Sequence, residues 1–127
     1  MTEIRVLLAD DSRAVRRTMK LLLDSDPSIA LIAEAANFQE LLAMLNEVRA
    51  DVVVMDVHMP GSGQVQPESV KAQLATACLL AISFANDCES EEYAKKFGAI
   101  RLLDKIELGS TLIPAIKDCQ RRKAKGA

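Results

Sequence analysis

The chain has 127 residues, half of them apolar and 27% charged, with a net charge of −2, which suits one globular domain with a real core. That balance argues against general binding of nucleic acid or a membrane surface, and one Tyr, three Phe and no Trp are too few for a base-stacking face. No apolar stretch approaches the roughly 20 residues of a membrane span, and acids follow the first apolar run at once, so a cytoplasmic protein without signal peptide or anchor is expected. Cys78, Cys88 and Cys119 are odd in number and lack metal-type spacing. They read as small hydrophobes in a reducing compartment, not as a disulfide framework or zinc site.

The first element is the run Ile4-Arg5-Val6-Leu7-Leu8-Ala9, closed by Asp10 and Asp11. After Asp11 the pattern turns helical. Val15, Met19, Leu22 and Leu23 recur on one side and Arg13, Arg16, Arg17 and Lys20 on the other, until Asp26-Pro27 ends the helix. A second strand covers about Ile29 to Ala35. Asn37, with Glu40 three residues on, makes a capping box for a helix whose core face is Phe38, Leu41, Leu42, Leu45 and Val48. Val52-Val53-Val54-Met55 is a third strand, closed by Asp56 and followed by a loop at Pro60-Gly61-Ser62-Gly63. Pro67 suits the first turn of a third helix, with Val70 and Leu74 on one face, although Gln and Ser residues dilute its pattern.

Leu79 to Ser83 is a fourth strand, and a short helix from about Ser90 to Phe97 stops at Gly98 as its C′ residue. The run Ile100 to Asp104 precedes Lys105. A last helix begins near Ser110 or Thr111, with an apolar stripe of Leu112, Ile113, Ile116 and Cys119. Pro114 is tolerable only within the first turn, which favours Thr111 as the cap. Short continuous runs rich in Val, Leu and Ile read as parallel strands buried on both faces. Five strands alternating with five helices mean an α/β domain: a doubly wound five-stranded parallel sheet with right-handed crossovers.

In such a sheet ligands bind in the crevice beyond the carboxyl ends of the strands. Asp10, Asp11, Asp56 and Lys105 all stand at strand ends, so three acids and one base are aimed at one crevice. Carboxylates that close repel by roughly 4 kcal/mol per pair at an effective dielectric of 20. The cluster therefore needs a hard divalent cation, and oxygen-only ligands suit Mg2+. Taken singly the residues are ordinary: an Asp-Asp pair is commonly a cap or turn, strand ends often carry Ser, and His58 has no partner His or Cys nearby. The conjunction carries the inference.

The strings Val6-Leu7-Leu8-Ala9-Asp10-Asp11-Ser12, Val54-Met55-Asp56-Val57-His58-Met59-Pro60-Gly61, then Ser83, then Gly98-Ala99-Ile100-Arg101-Leu102-Leu103-Asp104-Lys105 resemble the receiver domain of two-component response regulators. The resemblance spans essentially the whole chain and implies strand order 2-1-3-4-5 in a flavodoxin-like fold, an order the receiver of a chemotaxis protein exemplifies. It implies that Asp56 accepts a phosphoryl group from a histidine kinase. Asp10, Asp11, Asp56 and the backbone carbonyl of His58 would hold Mg2+, and Ser83 and Lys105 would meet the phosphoryl oxygens. His58 would also tune the lifetime of the phosphorylated state. The implied partners are a histidine kinase, a C-terminal output domain or downstream protein, and a second copy through the face of helix 4, strand 5 and helix 5. No membrane and no direct nucleic-acid contact is expected of this domain. Residues 1–122 would form the receiver. The basic residues after it, within 123–127, read as a solvated helix end or the start of a linker.

Four departures bear on the switch. Phe84 follows Ser83 where the family usually has a small residue, and Leu102 stands where many receivers carry Tyr or Phe. Ile106 follows Lys105 where Pro is usual, which disfavours a cis bond there. The stretch from Gly61 to Ala77 lacks the usual apolar pattern. Phe84 and Leu102 motivate one alternative, a phosphate-independent interaction module. A Mg2+-dependent phosphohydrolase is another, disfavoured because His58 occupies the place of that class's second acid. On the leading reading the chain is a phosphoacceptor switch, not an enzyme with turnover.

Overall fold

The computed structural model describes residues 3–61, 65–74, 77–85 and 87–126, with side chains described as far as residue 122. Ser62 and Gly63 of the expected loop, and the side chains of Lys123, Ala124 and Lys125 in the basic tail, lie outside the described residues. The elements run β1 (Ile4–Ala9), α1 (Arg13–Asp24), β2 (Ile29–Ala35), α2 (Phe38–Glu47), β3 (Val52–Asp56), α3 (Pro67–Gln73), β4 (Cys78–Ser83), α4 (Cys88–Lys96), β5 (Arg101–Asp104) and α5 (Leu108–Gly126), with a 3₁₀ turn at Lys105–Glu107. All strand pairs are parallel, and the sheet order is β2-β1-β3-β4-β5.

Alternation along the strands divides the core between two faces. Ile4, Val6, Leu8, Val52, Val54, Leu80 and Ile82 meet Met19 and Leu23 of α1 and Leu112, Ala115 and Ile116 of α5. Leu7, Ala9, Val53, Met55 and Leu79 meet Phe38 and Leu41 of α2, Val70 and Leu74 around α3, and Phe97. The central strands are therefore almost continuously apolar, broken only by exposed Arg5 near the start of β1 and by Asp56 and Ser83 at the ends of β3 and β4. Phe38 and Phe97 stack at 5.3 Å between centroids, closing the second face.

Local chemistry sets the helix ends. Ser12 caps α1, its Oγ accepting from the Val15 N–H. The Asn37 carboxamide accepts from the Glu40 N–H, while the Glu40 carboxylate reaches back to the Ala36 N–H, a capping box closed one residue early. Helix α4 ends in a Schellman motif: Gly98 donates to the Lys95 carbonyl and Ala99 to that of Ala94. That motif needs a left-handed residue, and Gly98 supplies φ of 86°. No cis peptide bond occurs among the described residues. The diluted stretch before β4 does form a helix, because Val70 and Leu74 are both buried.

Two expectations are corrected. Helix α5 starts at Leu108, not near Ser110 or Thr111, and Pro114 lies inside it. Asp104, not Thr111, caps the entry by accepting from the Ile106 N–H, and the hydroxyls of Ser110 and Thr111 both turn back to the Glu107 carbonyl. An interior proline costs about 3 kcal/mol. Burying Leu108, Leu112, Ala115 and Ile116 outweighs it, at roughly 1.5–3 kcal/mol for each large side chain. The second correction concerns the cysteines. Cys78, opening β4, and Cys119, on the inner face of α5, form a disulfide with Cα atoms 5.9 Å apart. Their sequence separation of 41 hides the return of α5 across the sheet. Cys88 is free and exposed.

Candidate functional site

Sheet register builds the site. Ala9 pairs with Met55, so Asp10 and Asp56 leave the sheet abreast on adjoining strands. Asp56 pairs with Ile82 and Ser83 with Asp104, which sets Ser83 one step and Lys105, just past the end of β5, two steps beyond the level of Asp56. The chain leaves β1 and β3 toward opposite sides of the sheet at this switch point, opening a crevice above Asp10 and Asp56.

Asp10 is fully buried and tied through its N–H, its carbonyl and one carboxylate oxygen. Its N–H donates to the Ala35 carbonyl, its Oδ1 accepts from the Ser12 N–H at 2.8 Å, and its carbonyl accepts from the Arg16 guanidinium. Asp56 is 3% exposed. Its Oδ1 accepts from the His58 N–H at 2.9 Å and its Oδ2 from Lys105 Nζ at 3.0 Å. Lys105 Nζ also lies 2.7 Å from Asp10 Oδ2, so one ammonium bridges two buried carboxylates. Asp11 is exposed, yet Asp10, Asp11 and Asp56 each offer an oxygen such that these atoms lie within 4.8 Å of one another.

The electrostatics follow from burial and partners. Burial pushes the Asp10 carboxyl above its usual range and the Asp56 charge adds to this, while Lys105 and the Ser12 N–H pull it back. Burial works against the Lys105 charge, but Asp10 and Asp56 together hold the ammonium above its ordinary value. A single lysine leaves three acids only partly neutralised. Asp10 Oδ2, although near that ammonium, is buried without a hydrogen bond of good geometry. An under-satisfied anionic oxygen facing two more carboxylates is a fitting donor set for a hard divalent ion.

Ser83 is buried, and its Oγ accepts from the Ala85 N–H at 2.9 Å, which leaves the hydroxyl hydrogen to donate elsewhere. His58 is exposed, and its ring bonds away from the acids, with Nε2 3.0 Å from Ser90 Oγ. Phe84 is exposed. Its ring centroid is 4.9 Å from Lys105 Nζ, beside a groove lined by Ala14, Val15, Thr18 and Leu108. Leu102 is half-buried and packs with Val57, Ala81 and Ala94. Sequence reasoning missed Ser90 and Asp87. The signal was present, since an Asp three residues before a Ser is a helix-cap pattern, and here Asp87 Oδ1 accepts from the Ser90 N–H at 2.9 Å.

Comparison with known proteins gives one answer. A family model described as the response regulator receiver domain matches residues 6–117. The DNA-binding transcriptional activator DevR/DosR of Mycobacterium tuberculosis is 31% identical over 117 residues, covering 91% of this chain and 54% of that protein. A protein-glutamate methylesterase/protein-glutamine glutaminase of Nocardioides is 32% identical over 111 residues, covering 87% of this chain and 28% of that protein. The chain thus spans about half, or less, of the length of these relatives. The non-phosphorylated receiver domain of the stress response regulator RcsB from Escherichia coli superposes with a TM-score of 0.84 at 18% identity, covering 94% of this chain and 95% of that one.

Proposed function

The chain belongs to the response regulator receiver family, and from that premise we propose that it is a phosphoacceptor switch that receives a phosphoryl group on Asp56 from a histidine kinase. The observation that carries the reading is the cluster itself: Asp10, Asp11 and Asp56 with mutually close oxygens, and Lys105 donating to Asp56. Mg2+ would be held by Asp10, Asp11, Asp56 and the His58 carbonyl, where it would neutralise the acids and the charge of an incoming phosphoryl group.

On this reading Asp56 acts as the nucleophile. One carboxylate oxygen forms a bond to phosphorus while the P–N bond of a phosphohistidine breaks, its electron pair passing to the imidazole nitrogen. The product is an acyl phosphate with close to two negative charges. Lys105 already donates to Asp56 and needs only a short movement of its long stem to meet those oxygens. Ser83 supplies a hydroxyl from the neighbouring strand, and a charge-assisted bond from it would draw β4 inward only in the phosphorylated state. The lack of a free water-activating carboxylate at position 58 suits a stored phosphoryl group better than rapid turnover. The response would act on an output segment or a downstream protein.

Incubation with phosphoramidate and Mg2+, read by intact mass, tests the proposal. One adduct that Asp56→Asn abolishes is expected. A chain that stays unmodified would instead be a phosphate-independent interaction module, and sustained release of inorganic phosphate from simple esters would indicate a phosphohydrolase.

A further inference from the structure

Ser90 sits in the first turn of α4, among exposed glutamates at 89, 91 and 92, yet it is itself fully buried. Its surroundings explain why. The backbone N–H of Ser90 donates to Asp87 Oδ1, and that bond, with one from the Ser90 hydroxyl, holds the Asp87 carboxyl below its ordinary range. The remaining capacity of the hydroxyl oxygen faces His58 Nε2 at 3.0 Å. A consistent set of protons has Nε2–H donating to Ser90 Oγ and Oγ–H donating to Asp87. His58 at its other end donates its backbone N–H to Asp56 Oδ1. A continuous line of hydrogen bonds therefore runs from the acid in the crevice to the cap of α4.

We propose that Ser90 is a positioning residue that couples the state of Asp56 to helix α4, along the line Asp56, His58, Ser90, Asp87. The proposal rests on the reading that Asp56 is phosphorylated. When one Asp56 oxygen is esterified to phosphorus, the carboxylate loses its full charge, and a hydrogen bond to a neutral acceptor has about half the strength of one to an anion. The His58 N–H is then released toward the more highly charged phosphoryl oxygens. The ring moves with its own backbone, and Ser90 either follows or loses its partner. With Oγ–H still held by Asp87, the buried Ser90 oxygen would lose the one donor it accepts from, so the cap of α4 moves with the His58 ring and keeps that bond. Leu102 shares an apolar cluster with Ala94 and Tyr93 of α4, and His58 adds to its ring contact with Tyr93 a directional hydrogen bond to Ser90.

The test compares wild type, Ser90→Ala, His58→Ala and the double variant, each treated with phosphoramidate and Mg2+. Intact mass gives the extent of phosphorylation, and backbone amide NMR shifts report residues 88–96 and 83–85 separately. Ser90→Ala should reach the wild-type extent of phosphorylation and keep the shifts at 83–85, but lose those at 88–96. The double variant should lose no more than either single one, as expected for two ends of one bond. Because Ala is a good helix former, unphosphorylated spectra should show α4 intact in Ser90→Ala. Wild-type shifts at 88–96 in phosphorylated Ser90→Ala would overturn the coupling while leaving the phosphoacceptor reading in place. An unmodified wild-type chain would overturn both.

Discussion

The exposed ring of Phe84 lies 4.9 Å from the Lys105 ammonium, against a lysine side chain that is itself only 6% exposed. The aromatic face covers the cation from outside, while Asp10 and Asp56 hold it from within. A contact of this kind contributes about 0.5–1 kcal/mol at an exposed site.

Phe84→Ala should therefore open the approach to Lys105 for both donor and water. Phosphorylation by a small donor and decay of the phosphorylated protein should each speed up, by a factor of roughly 2–5 if the full contact energy is expressed in the barrier. Decay measured by loss of the phosphorylated mass decides the matter. Unchanged decay would assign Phe84 to a partner surface.

The acids differ in exposure and in their ties. Asp11 is exposed and removable with little disturbance, whereas Asp10 is locked to Ser12 and Lys105. Asp11→Ala should nearly abolish Mg2+ binding by calorimetry, and Asp10→Ala should weaken it less. Wild-type affinity in Asp11→Ala would remove the metal assignment. Lys105→Ala should tighten Mg2+ binding, because the ion no longer competes with a resident ammonium for Asp10 and Asp56.

A third expectation concerns pH. Lys117 lies 2.8 Å from Asp26, and that bond, followed by those from Ser28, lowers the Asp26 carboxyl from 3.8 to about 2. A depressed acid stabilises the fold above its unfolded value, and the contribution is lost as pH falls toward about 2. The tie joins the turn after α1 to α5. An NMR titration of Lys117→Ala should find Asp26 higher than in wild type but still below 3.8, since the Ser28 bonds remain. A return to the full unperturbed value would contradict the role of Ser28.

Pro114 supplies the fourth. It is exposed, seven positions into α5, and cannot donate to the Ser110 carbonyl. Pro114→Ala should raise stability by about 1–3 kcal/mol in urea unfolding. A loss of stability would mean that the ring's contacts outweigh the missing hydrogen bond.

What could be read in advance was local. The strands β1 and β3 announce themselves because a sheet covered on both sides demands long apolar runs, interrupted in β1 only by exposed Arg5, and the acids that close them follow directly. The capping pair Asn37 and Glu40 was equally plain. Helix α4 was placed two residues late because the cap was not sought at Asp87, and α5 was delayed because propensity at Pro114 was weighed without the burial that overrides it. The Cys78–Cys119 bond, the Phe84–Lys105 contact and the burial of Ser90 depend on residues from different elements meeting in space. No spacing rule reaches them.

The Cys78–Cys119 bond divides the site topologically. It closes residues 78–119 into a covalent ring, with Ser83, Ser90 and Lys105 on the ring and Asp10, Asp11, Asp56 and His58 on the open chain before it. In the chain-entropy model, a loop of 41 residues restricts the denatured state by about 4 kcal/mol. That restriction falls on the part of the chain that carries Ser83, Ser90 and Lys105, and not on the part that carries the acids. A thiol reductant would lift that restriction from the denatured chain and so lower the stability of the domain as a whole, while leaving every acid of the crevice in place.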